Sequence, residues 1–352
     1  MDDSCKGHHL YTSEIQKRFN RLRTLNNNNS SVHIPEKEIL YITFQKGRFL
    51  RPCPGTLPPY ICCGYWVIDV GYNCPMICNY CILQTYFKEK NLIFYSNIES
   101  LLESLNYLIS LKRIFRIGTG EFTDSLALDP LLRLNERLIP LFSKSSNLIL
   151  ELKTKAINID HLLDLPYRDK IVISWSLASH RIITEEERAT ASLLDRIKAA
   201  KRCQREGYVV GFHFDPIIEY KGWEEDYKRI IDALADHIDP KGVIWISLGT
   251  LRFMPELKWI LLERHRNSRI LKGEFIRGMD GKLRYFKPLR IDIYAKVKAM
   301  LDEWSDDLGL YLCMETEEVW NRSFGWSPGG RRGLCQYLDQ RAIKLFHIKD
   351  LD

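Results

Sequence analysis

Three cysteines in the segment GYNCPMICNYCILQTYF (71–87) follow the spacing C-x3-C-x2-C: Cys74, Cys78 and Cys81. Thiolates are the usual ligands of iron–sulfur clusters, and close spacing on a loop lets three of them converge. A cubane held by three thiolates keeps one iron open to a further ligand. The loop has no fourth cysteine, although Cys62 and Cys63 lie on the other side of the preceding apolar run. Two other readings fit the same residues: a zinc site with a distant fourth ligand, and a redox-sensing group of thiols. The chain has 352 residues and ten cysteines, seven of them between Cys5 and Cys81 and then none before Cys203, Cys313 and Cys335. The first residues, MDDSCKGHHLYTSEIQKRF, lack the basic and apolar regions of an export signal. Reduced thiols are therefore expected, and metal or redox chemistry rather than a disulfide framework.

Other groups that could act follow apolar runs. Gly118-Thr119-Gly120-Glu121 comes after IFRI (114–117); glycines there allow close backbone approach to a ligand, or simply a turn. Lys155 follows LILELK (148–153), and Ser176 ends ISWS. A lysine after a strand is commonly a solvated surface residue, and a serine there is often a turn former. Asp215, in HFDP, either faces a ligand or opens a turn before Pro216. The formal net charge is +6, yet residues 258–290 alone sum to +7, with ten Lys/Arg against Glu263, Glu274 and Asp280. Such concentration points to a local contact with an anionic partner. Arg277, Lys282, Arg284 and Lys287 flank the Asp-Gly turn of GMDG (278–281), interleaved with Phe275, Tyr285 and Phe286. Cations there suit phosphates and aromatics suit a displaced base; the alternative is a solvated hairpin with its aromatics in the core.

The elements that must position these groups are legible as alternating patterns. Short β-rich runs occur at 65–70, 114–117, 148–153, 171–175, 208–214 and 243–248, with LYLCME (310–315) as a possible last strand. Helical stretches fall at 97–111, 128–142, 157–164, 185–206 and 223–236, and later at 256–265 and 291–307. Strands alternating with helices indicate parallel βαβ units. Six strands are two short of a closed eight-stranded barrel, which predicts an open or partial α/β barrel with functional groups after the strands' C-terminal ends. An N-terminal extension (1–60) carries a basic amphipathic helix at 11–24 and a polar link at 26–31; the barrel occupies 61–253, and a C-terminal region with the basic hairpin occupies 254–352. Apolar residues make up 45% and charged residues 27%, as in globular proteins, which argues against wholesale disorder. No run of 18 apolar residues is present, so no membrane span or membrane partner is expected.

The cysteine spacing directly after the first strand resembles the radical S-adenosylmethionine (SAM) superfamily. CNYCILQTYF, the K-T-K at 153–155 followed by IDHLL, SWS (174–176) and GF-x3-PI-x4-GWEEDY (211–227) resemble more narrowly the spore photoproduct lyase family of DNA repair lyases. The resemblance implies a partial (β/α)6 barrel, a [4Fe–4S] cluster on Cys74, Cys78 and Cys81, and SAM chelated at the open iron. It implies that Tyr80 is catalytic beside the last ligand, and that Gly118, Gly120 and Glu121 bind the SAM amino group. It further implies Thr123 at the methionyl end, Lys155 at the carboxylate and Ser176 at the ribose; Asp215, from its place after the fifth strand, is a further candidate cofactor contact. The implied activity is repair of a pyrimidine photolesion in duplex DNA through a 5′-deoxyadenosyl radical, in the cytoplasm, with a ferredoxin or flavodoxin as electron donor. Two positions depart from the family pattern. The cysteine that returns a hydrogen atom after the second strand falls on Glu121 or Phe122, and a second tyrosine falls on Ile82. Tyr80, Cys313 and Cys335 are the replacement donors that the sequence offers. The alternatives are radical chemistry on another nucleic-acid or small-molecule substrate, and a non-catalytic metal- or DNA-binding module.

Overall fold

The computed structural model describes residues 37–348 except Glu38, Thr56 and Glu89. The helix expected at 11–24 and the link at 26–31 lie outside the described residues. The centre is an eight-stranded sheet: β1 Leu50–Pro52, β2 Trp66–Ile68, β3 Phe115–Gly118, β4 Leu148–Thr154, β5 Ile171–Ser176, β6 Val209–Ile217, β7 Val243–Thr250 and β8 Leu310–Leu312. The strands lie in chain order across the sheet. Strands β2 to β8 are parallel, and β1 is an antiparallel edge on β2. Parallel strands covered on both faces read as nearly continuous apolar runs, and β7 is buried at every position.

Right-handed crossovers in such a sheet are made by helices. Here they include α1 Ile98–Ile109, α2 Asn135–Lys144, α3 Leu193–Arg205, α4 Trp223–His237 and α5 Lys287–Trp304, with α6 Arg331–Phe346 following β8. Both edges of the sheet come from outside 61–253: β1 from the N-terminal segment and β8 from the C-terminal region. The barrel remains open. Beyond its own ladder, one isolated bridge among the described residues, Ile61–Glu315, links the segment before β2 to the segment after β8.

The helix expected over 185–206 is two helices. Helix His180–Glu186 ends and α3 begins at Leu193, where Ser192 Oγ accepts the Asp195 N–H at 3.2 Å as an N-cap. Between them Glu187–Arg188 pairs antiparallel with Ile77–Cys78, setting Glu187 opposite Cys78. This interruption builds much of the site. The hairpin expected around GMDG is present, with Ile276–Arg277 and Leu283–Arg284 paired antiparallel and joined to Arg252–Phe253. Gly281 takes φ +82° in its turn, a conformation suited to glycine.

Candidate active site

The cysteine loop leaves the sheet after β2 and is pinned from two sides. On one side the Asn79 N–H donates to the Glu186 carbonyl (2.8 Å) and Asn79 Nδ2 to the Glu186 carboxylate (2.7 Å). On the other, Gln84 Nε2 donates to the carbonyls of Asn79 (3.0 Å) and Cys78 (3.2 Å). Burial pushes the Cys74 thiol up and the Cys78 thiol up to about 12, with Lys155 opposing the latter shift. Buried thiols of this kind become thiolates only beside added positive charge, which a metal cluster brings. Among the described residues, no three His, Cys, Asp or Glu side chains surround one point fit for a single metal ion. Three cysteine thiols at C-x3-C-x2-C spacing are a donor set that a [4Fe–4S] cluster uses.

Beside Cys78 is a buried charge network that the sequence did not announce. Lys155, just past β4, donates to Glu187 (2.8 Å), to the Tyr80 hydroxyl (2.5 Å) and to Cys78 Sγ (3.7 Å). Tyr80 in turn donates to Glu187. The other Glu187 oxygen accepts from Arg196 of α3 at 2.6 Å, and both side chains are fully buried. Burial alone would raise the Glu187 carboxyl, but Lys155 and then Arg196 hold it down at about 2. Lys155 therefore spends its three N–H groups within the chain, and pairing with a SAM carboxylate requires it to exchange one partner. Arg196 also donates to the Ser176 carbonyl at 2.8 Å, fixing the end of β5.

Tyr80 and Cys81 line a cavity of about 230 Å³ with Gly55, Glu121, Asp215, Arg252, Lys282 and Met314 among its walls. It opens beyond the C-terminal ends of β6 and β7, where a parallel sheet collects ligand contacts. Asp215 is gripped by Arg252 through both guanidinium nitrogens (3.1 and 2.7 Å). Thr123 faces a separate cavity of about 30 Å³ with Thr119, Asp124 and Ser125; the structure does not bring it to the Tyr80 cavity. Gly118 and Gly120 have packing reasons to be glycine. A Cβ at Gly118 would stand 1.7 Å from the Tyr65 hydroxyl and 2.3 Å from the Glu151 carbonyl, and one at Gly120 would stand 2.8 Å from Lys153 Cβ.

The expected nucleic-acid residues separate. Lys282 and Arg284 are buried structural cations, which corrects their reading as phosphate contacts. Both Arg284 guanidinium nitrogens bond Asp280 (2.8 and 3.0 Å), and its guanidinium lies over Tyr60. Lys282 donates to the Gly55 carbonyl at 2.8 Å, tying the hairpin to the N-terminal segment. Two residues apart on a strand, they share its inward face. Lys287 is ion-paired with Glu318 at 2.6 Å. Arg277 is exposed, as are Lys258, Arg264, Arg266, Arg269 and Lys272. Trp259 and Met279 on the same segment are 70% and 73% exposed. Glu187, Arg196, Gln84 and Arg252 were missed in the sequence; only Ser192-x-x-Asp195 signalled the helix break that places Glu187.

Comparison with known proteins matches residues 62–288 to the family model described as spore photoproduct lyase. The spore photoproduct lyase of Bacillus subtilis (strain 168) is 30% identical over 210 residues, which is 58% of this chain and 61% of that protein. That of Clostridium acetobutylicum is 24% identical over 223 residues, 62% of this chain and 64% of that protein. The chain thus matches less than two thirds of the length of these curated relatives. Among solved structures, a spore photoproduct lyase mutant with bound AdoMet and dinucleoside spore photoproduct superposes with a TM-score of 0.74 at 21% identity, covering 87% of this chain and 95% of that one. A spore photoproduct lyase complexed with dinucleoside spore photoproduct also gives 0.74, at 20% identity, over 86% and 94%.

Proposed function

This chain belongs to the spore photoproduct lyase family, and from that premise we propose that it is a radical SAM lyase that reverses a pyrimidine photolesion in DNA. The observation that carries the reading is the cysteine loop itself. Cys78 is held beside Lys155, Cys81 lines with Tyr80 a cavity over the strand ends, and with Cys74 on the same loop three thiolates could leave one iron free for SAM. When bound there, the cluster and SAM supply reductive cleavage to a 5′-deoxyadenosyl radical able to abstract hydrogen from a carbon atom.

The chain's own residues define the surroundings. Lys155 and Arg196 place positive charge behind Cys78 and so favour its thiolate. Gln84 and Glu186 hold the loop backbone against displacement. Glu121 and the Asp215–Arg252 pair present polar groups in the cavity, suited to a ligand carrying an amine and hydroxyls. Phosphates of the DNA would meet the exposed cations Lys258, Arg266, Arg269, Lys272 and Arg277, with Trp259 and Met279 offering apolar surface to a displaced base. A low-potential one-electron carrier, a ferredoxin or flavodoxin, would feed the cluster.

The test is an anaerobic assay of the reconstituted chain with SAM, dithionite and oligonucleotides carrying defined pyrimidine lesions, read by mass spectrometry. Formation of 5′-deoxyadenosine together with restored pyrimidines is expected. Tight DNA binding without SAM cleavage would refute the enzyme reading.

A further inference from the structure

The short ladder that pins the cluster loop has two faces. In an antiparallel pair, residues directly opposite each other share a face. Cys78 and Glu187 are opposite and buried, facing inward; Ile77 and Arg188 are opposite and exposed, facing out. Ile77, 37% exposed, is therefore apolar surface one peptide bond from a thiol of the cysteine loop. Basic groups surround it. Arg188 Nη2 lies 3.3 Å from His265 Nδ1, and His265 Nε2 lies 3.4 Å from Gln84 Oε1. Lys37 Nζ donates to the Met76 carbonyl at 2.5 Å, next to Ile77. Arg264, exposed at the end of helix Glu256–Arg264, precedes His265. Burial, and then Arg188 and Arg264 with a smaller effect from Lys37, hold the His265 imidazole below its usual value against the pull of Glu186. The three cations thus act on one place. Glu186 is buried and already accepts from Asn79 Nδ2, Ser268 Oγ (2.7 Å) and the Arg269 N–H (3.2 Å). Glu263, exposed beside Arg264 in sequence, offsets one charge. The Tyr80 cavity belongs to the other end of the loop: Tyr80, Cys81 and Ile82 line it, and Met76 and Ile77 do not. A protein carrier cannot enter that cavity while SAM and substrate fill it, so the electron needs a second approach.

We propose that the outer face of the cluster loop, Ile77 ringed by Lys37, Arg188, Arg264 and His265, is the docking surface of an acidic one-electron carrier protein; the inference rests on the radical reading above. Charge complementarity selects the occupant. Electron-transfer encounters bury little surface and are steered by charge, so a small apolar centre with a basic rim suffices. The carrier loses one electron, which passes along the Ile77–Cys78 backbone to the metal centre that Cys78 would hold. No covalent bond forms or breaks and no proton moves. Duplex DNA is the competing anion. Position favours the carrier, because the patch adjoins Cys78 rather than the cavity that a lesion must enter.

The experiment uses the reconstituted full chain and a purified bacterial flavodoxin as probe. It compares wild type, the double variant Arg188→Glu/Arg264→Glu, the charge-keeping double variant Arg188→Lys/Arg264→Lys, and Arg205→Glu at the far end of α3. Flavodoxin binding is measured by titration calorimetry at low and high salt. SAM cleavage is measured separately with reduced flavodoxin and with dithionite, a small reductant that needs no docking surface. The double glutamate variant should bind flavodoxin about tenfold or more weakly at low salt, with the gap shrinking as salt rises. Its SAM cleavage should fall with flavodoxin and stay at the wild-type level with dithionite. The lysine pair and Arg205→Glu should behave as wild type. Unchanged flavodoxin affinity in the double glutamate variant overturns the assignment and leaves the radical reading intact. Equal loss of SAM cleavage with both reductants also overturns it, because the arginines then serve the loop's structure. Loss of duplex DNA affinity with flavodoxin affinity kept overturns it in favour of a DNA surface. If wild type cleaves no SAM with dithionite, the radical reading fails, and the proposal with it.

Discussion

Replacing Glu187 by glutamine keeps the side chain's size and removes the one negative charge between Lys155 and Arg196. Both cations then remain buried, 2.8 and 2.6 Å from a neutral amide. Removing one partner of a buried ion pair costs about 3–5 kcal/mol. An independent route gives a similar figure. Lys155 and then Arg196 hold the carboxyl down at about 2, against the ordinary glutamate value of about 4.3; at ~1.36 kcal/mol per pH unit a shift of that size is worth about 3 kcal/mol at neutral pH. With an unfolding entropy of about 2.1 cal/mol/K per residue, a chain of this length should lose about 4–7 °C in Tm. Because the folded pKa is depressed, the stabilisation is complete above the unfolded value and is lost as pH falls through the folded one. Thermal melts of wild type and Glu187→Gln should therefore differ by a constant gap from pH 7 to about 5.5, narrowing below pH 4.5 toward nothing near pH 2. A gap under about 1.5 °C at pH 7, or one that persists unchanged in acid, would refute a dry, charge-compensated cluster.

Alanine at Cys74, Cys78 and Cys81 together should abolish iron uptake on anaerobic reconstitution, measured by iron and sulfide content, while retained iron in a SAM-cleaving variant would contradict the ligand set. Gly118→Ala should lower stability by about 1–3 kcal/mol or more, because the new methyl meets the Glu151 backbone carbonyl at 2.3 Å; adding Tyr65→Phe should not rescue it, as denaturant melts would show. Neutralising Arg266, Arg269 and Arg277 should reduce the salt dependence of duplex DNA binding by up to about 0.9 in slope per lost phosphate contact. Neutralising Lys282 and Arg284 should instead depress Tm, since Arg284 and Asp280 are a buried pair.

The sheet was readable because parallel strands buried on both faces leave nearly continuous apolar runs. The six expected strands are β2 to β7, and LYL of the possible last strand is β8. The places of the cysteine loop after β2 and of Lys155 after β4 were likewise legible, since each follows an apolar run that forms a strand. Strand β1 was hidden by Pro52, which an edge strand tolerates because one side of its backbone needs no partner. Glu187 was hidden because ITEEERATASLL carries continuous helical composition, and only the Ser192 cap interrupts it. Lys282 and Arg284 show a different limit. A charge count over a segment cannot say which way a side chain points, and Asp280, inside the turn they flank, was the acceptor that draws them inward. Cys53 lies 3.7 Å from Glu121 because β1 pairs with β2 and β2 with β3, a tertiary fact with no local trace.

The stitching of the chain's two ends across the sheet has a consequence for how the protein is made. Lys282 to Gly55, Arg116 to Asp339 and Cys335 to Cys63 join residues 227, 223 and 272 positions apart. Contacts of such separation close late and slowly, because a long loop must lose its freedom before they form. During synthesis the thiols of Cys62 and Cys63 emerge well before α6, whose Cys335 and Asp339 reach Cys63 and Arg116. For that interval the interior thiols are open to solvent, and the carboxylate that neutralises Arg116 is missing. The segment 62–288, taken alone, would carry the same defect permanently: β8 and α6 would be absent and β1 lost from the other edge. Expression of the full chain under reducing conditions thus serves folding itself, with α6 closing over Cys63 only after the rest of the sheet has been made.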